Sequence, residues 1–329
     1  MKRRTLLSAV VANSVAAAGV ALLGTRTASA QAFPNKPIRI IVPFTPGSAT
    51  DTMARPIAER LTAALGQQVL IENRPGAGGT IGANALAKAP PDGYTLGVVS
   101  VGHVISPALY ANLPYDTLKD FAGVIPLASL PSVLVVSPAL GYKTLRELVA
   151  AAKAKPGSFN YATAGTGSGA HIGAEKFRMA AGIDAVHVPF KGSPESLTET
   201  IGGRTQFTVT PLSTATGQIR DGRLLALAVS TPKRSPAFPD VPTIAEAGFP
   251  KAEFNFWVGM LAPAGTPREV VARLNDEIKR ILQAPEMVER FAKLGAEPFI
   301  LSPGEYDSFL RDEFNTLGEV MRASGAKPQ

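Results

Sequence analysis

Short apolar, β-branched runs alternate with amphipathic helical stretches along most of this chain, and that alternation predicts an α/β fold. Strands are expected at 37–43, 68–72, 94–99, 121–127, 132–136, 158–162, 185–189, 206–210, 224–230 and 256–262. Helices are expected at 51–65, 80–88, 144–154, 169–181, 193–201 and 213–220, and the chain closes on helical patterns at 267–282, 285–294 and 303–324. The last pattern begins at Ser302-Pro303, a capping hydroxyl followed by a residue that lacks an N–H where a helix needs none. Strands separated by helices call for mostly parallel sheets.

Two of the strand-to-helix junctions share one design. In the first, Ile38-Arg39-Ile40-Ile41-Val42-Pro43-Phe44 runs into Thr45-Pro46-Gly47-Ser48-Ala49-Thr50-Asp51. In the second, Phe159-Asn160-Tyr161-Ala162-Thr163 runs into Ala164-Gly165-Thr166-Gly167-Ser168-Gly169-Ala170-His171. Neither turn holds a lysine or arginine, yet each presents backbone N–H groups and hydroxyls at a helix start, where the helix dipole favours an anion. The pair suggests a clamp for a carboxylate. Element order is best explained by two lobes joined by two chain crossings: residues 31–130 with 255–329 form lobe one, and 131–254 form lobe two. Ligands of open α/β sheets sit outside the strand carboxyl ends, so the two turns are expected to face each other across an inter-lobe cleft.

The first thirty residues read as an address label. Lys2, Arg3 and Arg4 precede an Ala/Val/Leu-rich run at 6–23, and Ala28-Ser29-Ala30 supplies a cleavage site, so export with cleavage after Ala30 is expected. The order Arg3-Arg4-Thr5-Leu6-Leu7 also resembles a twin-arginine signal, which leaves the export route open. With no cysteine in the chain, a lipoprotein anchor and disulfides are both excluded, and a free protein in a bacterial periplasm is expected. Removing the four basic residues of the leader lowers the formal net charge from +7 to +3. The remaining Lys and Arg are scattered rather than striped with aromatics, which argues against nucleic acid as a partner.

Catalytic and cofactor readings find little support. Gly76-Ala77-Gly78-Gly79-Thr80-Ile81-Gly82 has the wrong glycine spacing for a dinucleotide fingerprint and reads as a cleft-edge loop. Neither Gly-rich turn carries the Gly-Lys-Ser/Thr of a phosphate loop. Ser168 stands between Gly167 and Gly169, whereas a nucleophile elbow needs glycine at the positions of Thr166 and Ala170. His103, His171 and His187 have no metal-binding spacing and no thiol partner, so no metal and no cofactor are expected.

The chain resembles the Bug-type periplasmic solute-binding proteins, the receptor family of tripartite tricarboxylate transporters, across essentially the whole sequence after the leader. The blocks that carry the resemblance include Pro37-Ile38-Arg39 to Pro43-Phe44, Gly47 to Asp51 with Arg55, and Glu72-Asn73-Arg74-Pro75-Gly76 to Gly82. They continue through Asp92-Gly93-Tyr94-Thr95-Leu96, Leu113-Pro114-Tyr115-Asp116, Gly165-Thr166-Gly167-Ser168 with His171, Val188-Pro189-Phe190-Lys191-Gly192 and Asp240-Val241-Pro242-Thr243. The resemblance implies a two-lobe Venus-flytrap fold of the type II periplasmic binding class that closes on a small carboxylated ligand without a cofactor. It also implies a receptor, not an enzyme, that delivers its ligand to membrane permease subunits; a monomer is expected. A ligand sensor feeding a membrane kinase and a serine hydrolase using Ser168 are the alternatives.

The family's carboxylate-holding turns map onto 45–51 and 165–171. Phe44, Thr45, Pro46 and Gly47 shape the first turn, while Ser48 and Ala49 offer main-chain N–H groups. Asp51 would repel a carboxylate and is expected to hold its helix start, or else to accept a ligand's water or amine. In the second turn Thr166 and Ser168 donate hydroxyls, Gly165 and Gly167 let the backbone come close, and His171 is a packed helix residue within reach of the ligand. Gly78 lies on the cleft-edge loop, and Phe190 and Trp257 are candidates for an apolar wall. Where many relatives carry Val-Asp and then Phe-Asp pairs, this chain has Thr205-Gln206 and Val209-Thr210, so the neutral hydroxyl of Thr210 replaces an acid. That change favours a plain or aromatic carboxylate over an amino acid.

Overall fold

The computed structural model describes residues 33–325, and the chain from Lys36 onward forms one compact unit. The expected leader and its cleavage site lie outside the described residues. Strand β1 (Ile38–Val42) leads through helix α1 (Ala49–Leu65) to β2 (Val69–Asn73), and α2 (Thr80–Ala87) leads to β3 (Thr95–Ser100) and α3 (Gly102–Leu109). After β4 (Phe121–Val136) come α4 (Leu145–Ala154), β5 (Phe159–Thr163), α5 (Gly169–Ala181), β6 (Ala185–Pro189) and α6 (Ser193–Ile201). Then follow β7 (Phe207–Pro211), α7 (Leu212–Arg220), β8 (Leu225–Val229) and β9 (Asn255–Pro263). Helices α8 (Arg268–Gln283) and α9 (Pro285–Lys293), the short β10 (Glu297–Pro298) and α10 (Pro303–Ala323) complete the described chain.

The strands form one mixed, curled sheet with the path β2-β1-β3-β9-β4-β7-β5-β6, and β8 and β10 both pair with β4. β1 runs parallel to β2 and β3, and β5 runs parallel to β6 and β7, as βα crossovers require. β9 runs antiparallel between β3 and β4. Two expected strands, 121–127 and 132–136, are one long β4, and its prolines sit where the ladder is already interrupted. Register with β9 shifts between Pro126 and Ala128, and Pro131 is the last residue paired to β9 before Ser132 pairs to β7. Helix α3 was not anticipated, because its eight residues contain Pro107 and show no polar face.

At this changeover β4 leaves one half of the sheet for the other, and β9 enters at Asn255, opposite Pro131. Ser230 ties the two strands there: its hydroxyl accepts from the Ser132 N–H at 2.9 Å and donates to the Phe254 carbonyl at 2.5 Å. Its main chain donates to Ser132 O at 2.8 Å and accepts from the Phe254 N–H at 2.9 Å. A single buried serine thus stitches both chain crossings.

Each half has its own apolar filling. In the β1–β3 half, Ile38, Ile40 and Val98 are wholly buried with Met53, Ile57 and Leu61 of α1. In the β5–β7 half, Leu134, Tyr161, Phe177 and Phe207 pack together. Helix α10 lies against β4 and α3, where Trp257 Nε1 donates to Glu313 Oε2 at 2.8 Å and Tyr306 meets the Trp257 ring edge-on. Behind α5, the Tyr161 hydroxyl bonds to Glu175, whose carboxylate also accepts Arg178 at 2.8 Å. Burial favours the neutral acid, but Arg178 and Tyr161 outweigh it and hold Glu175 below the usual carboxylate range. His171 and His187 stack with ring centres 4.1 Å apart beside this network, and His187 Nε2 lies 2.6 Å from the Thr163 hydroxyl.

Two expectations follow from this packing. A Cβ on Gly259 would stand 1.9 Å from the Tyr306 hydroxyl and 2.6 Å from its ring, so Gly259→Ala should cost about 1–3 kcal/mol by overpacking. An unchanged urea midpoint would contradict the tight fit. Burial pushes His171 down to about 4, and burial with the neighbouring His171 pushes His187 down to about 3, against about 6.5 for a free histidine. Below pH 6.5 the unfolded chain therefore takes up protons that the folded protein refuses. Stability is complete above that pH and falls as pH drops toward 4, by up to about 1.4 kcal/mol per pH unit for each such histidine. His187→Gln should make urea stability decline less steeply between pH 7 and 5; an unchanged slope would show that His187 titrates normally.

Candidate ligand-binding site

Phe44, Ser48, Ala49, Thr50, Ser100, Ala164, Ser168, Gly169, Ala170, Ser193, Pro211 and Phe256 surround one cavity. These residues come from the ends of several strands and the starts of the helices that follow them. Ser48 caps α1, Ser168 caps α5, Ser193 opens α6 and Pro211 caps α7, while Ser100 ends β3 just before α3. The first N–H groups of a helix have no partner inside it, so several positive helix ends converge on one space. Every polar side chain in the lining is a hydroxyl, and no charged side chain is among them. Phe44 and Phe256 supply apolar walls, and Phe44 packs with Ala164 and Ala170 across the cavity.

The two turns are held rigid by their own residues. Asp51 Oδ2 accepts the Gly47 N–H at 2.9 Å, and its two oxygens accept Arg55 at 2.8 Å and Asn73 at 2.9 Å. Burial alone raises the Asp51 pKa, but the bonds from Arg55, Gly47 and Asn73 together hold it below the usual value. Its carboxylate is therefore spent on fixing the turn. Gly47 has φ +83°, the left-handed region that glycine enters without strain. In the second turn Ser168 Oγ accepts the His171 N–H at 3.3 Å, and His171 Nδ1 accepts the Gly167 N–H at 3.2 Å. His171 thus lies beneath the turn as its support and does not line the cavity.

Other expected residues take varied places. Thr45 Oγ1 donates to Glu195 Oε2 at 3.1 Å, reaching from the first turn to α6, while Pro46 is exposed. The Thr166 carbonyl accepts the Tyr110 hydroxyl at 2.9 Å. Gly78 has φ +60°, and a Cβ on it would stand 1.8 Å from that same carbonyl. Gly165 packs against Gly78 and the Phe190 carbonyl, and Phe190 itself is half-buried outside the cavity lining. Thr210 is wholly buried, with its hydroxyl 3.0 Å from that of Thr214, so its neighbour Pro211 reaches the cavity instead.

Trp257 also lies elsewhere, under α10, and the adjacent Phe256 takes the wall position because successive strand residues point to opposite faces. Sequence reasoning missed Ser100, Ala164, Ser193, Pro211 and Phe256. The signal that could have found Ser100, Ser193 and Pro211 is the one that found the two turns, namely a strand end running into a helix start.

The model of the tripartite tricarboxylate transporter family receptor matches residues 53–326. Protein BugT of Bordetella pertussis is 38% identical over 325 residues, covering 98% of each chain. The structure of R. palustris Rpa4515 with adipate shares 34% identity and superposes with a TM-score of 0.87, covering 90% of this chain and 100% of that one. MatC from Rhodopseudomonas palustris with bound malate shares 32% identity at a TM-score of 0.84, over 88% of this chain and 100% of that one. The chain belongs to the receptor family of tripartite tricarboxylate transporters, the Bug-type periplasmic solute-binding proteins.

Proposed function

We propose that the protein is an extracytoplasmic receptor that captures a small carboxylate between two lobes and delivers it to the membrane subunits of a tripartite tricarboxylate-type transporter. Lobe one comprises residues 31–130 with 255–329, lobe two residues 131–254, and the receptor acts as a monomer in the periplasm after loss of residues 1–30. The observation that carries this reading is the convergence of helix starts and hydroxyls, without one charged side chain, on a single cavity. Such a cavity can bind an anion through dipoles and N–H groups while leaving no fixed charge exposed when the ligand departs. Relatives that hold adipate and malate supply the class of ligand.

The residues proposed to meet the ligand are Ser48, Ala49, Thr50, Ser168, Gly169 and Ala170, with Phe44 as the apolar wall. Gly47, Asp51, Gly167 and His171 position them; Thr45, Gly78, Gly165 and Thr166 meet across the seam. Turnover is disfavoured by the bonding around Ser168. Its oxygen is committed to the start of α5, and the nearby imidazole accepts from Gly167 at Nδ1, so neither is arranged as nucleophile and base.

Thermal stabilisation by adipate, malate and other small acids, with no product formed, is the expected result; an acid panel that leaves the midpoint unmoved would reject the receptor reading. Loss of labelled-acid uptake in a deletion strain checks delivery, whereas intact uptake with lost gene induction would indicate a sensor. Closure has its own test in Gly102, whose added Cβ would come within 2.6 Å of the Gly167 carbonyl. In this reading the ligand-free protein rests open and the two backbones stand apart, so Gly102→Ala should leave its midpoint unchanged. It should nevertheless weaken binding of a stabilising acid about tenfold, roughly 1.4 kcal/mol, in calorimetric titration. Undiminished affinity would mean that the seam does not close on the ligand.

A further inference from the structure

A second, smaller cavity adjoins the first. Phe44 and Ser100 line both, and beyond them the smaller one is bounded by His103, Ser106 and Tyr115. Its free space is close to the room one small polar group needs. His103 is 6% exposed and Tyr115 7%, yet neither ring nitrogen of His103 nor the Tyr115 hydroxyl has a partner in hydrogen-bonding geometry. The Thr117 main chain lies near His103 and the Ser106 hydroxyl near Tyr115, but neither is placed to bond, and Ser106 donates instead to the Gly102 carbonyl at 2.9 Å. Their rings stand nearly parallel with centres 6.0 Å apart, and the edge of Phe121 fixes both.

Buried polar atoms without partners cost about 1–3 kcal/mol each, and folded proteins rarely retain them without a use. Here three such atoms gather beside one small space. A neutral imidazole offers one donor and one acceptor, and a phenol offers both. Burial holds His103 neutral by pushing it down to about 4, with the Thr117 main chain opposing the shift. The space admits about one small polar group, which is too little for a second carboxylate. A hydroxyl, which also donates and accepts, matches the two side chains in size and in bonding.

We propose that His103 and Tyr115 form a distal subsite behind Phe44 that recognises a hydroxyl group on the clamped acid, so that the receptor prefers hydroxy acids to unsubstituted ones. The proposal rests on the carboxylate-receptor reading and adds the group that distinguishes one acid from another. Specificity of this kind comes from buried partners that only the right ligand satisfies.

Calorimetric titration of the full chain with matched probes tests it: straight-chain acids of three to six carbons, each against its 2-hydroxy and ω-hydroxy counterparts. One hydroxy acid should bind about tenfold more tightly than its parent. Tyr115→Phe, which keeps the ring stack, should remove most of that ratio while leaving the parent acid's affinity unchanged. His103→Gln is the second variant and should do the same. Equal affinities within every pair for the unaltered protein, or a ratio that survives both variants, would overturn the subsite. If no acid of any kind binds, the receptor reading itself fails, and the subsite falls with it.

Discussion

A helix cannot satisfy the N–H groups of its own first turn, and this fold aims several such starts at one place. Strand ends and helix starts from both halves of the sheet meet around a cavity whose polar lining is hydroxyl and backbone. The attraction for an anion is then distributed over many partial charges rather than concentrated in an arginine. Asp51 and His171, the two titratable residues closest to the turns in sequence, are drawn into holding those turns, which keeps formal charge out of the lining.

Placing helix starts from two sheet halves around one space requires close approach of their backbones, and glycine makes it possible. Gly78 stands against the Thr166 carbonyl and Gly102 against the Gly167 carbonyl, at distances that leave no room for a side chain. Around these contacts Tyr110 donates to the Thr166 carbonyl and Thr45 to Glu195, so the seam is polar and directional. The chain passes between the halves at β4 and β9, where Ser230 ties the two crossings.

Much of the architecture could be read from the chain because helix and strand periods differ and the junctions carry turn chemistry. The two Gly-rich turns at 45–51 and 165–171 were visible in this way, and Ser48, Ala49 and Ser168 do line the cavity. Side-chain direction was harder. Phe256 and Trp257 are both large and adjacent, and pairing of β9 between β3 and β4 alone decides which of them turns toward the cavity. Thr210 shows the same difficulty: it reads as a ligand contact but is turned to Thr214. The expected strands 121–127 and 132–136 are one β4, because local sequence does not show where a ladder changes partners.

The sequence by itself determined the α/β alternation, the two anion-seeking turns and the absence of phosphate-loop, dinucleotide and nucleophile-elbow patterns, because each depends on residues a few positions apart. Only the tertiary structure decided that Ser100, Ser193 and Pro211 join those turns, that His171 supports rather than lines the site, and that His103 and Tyr115 share a buried space behind Phe44. These depend on which faces of distant elements meet. That is a property of packing, and no spacing along the chain encodes it locally.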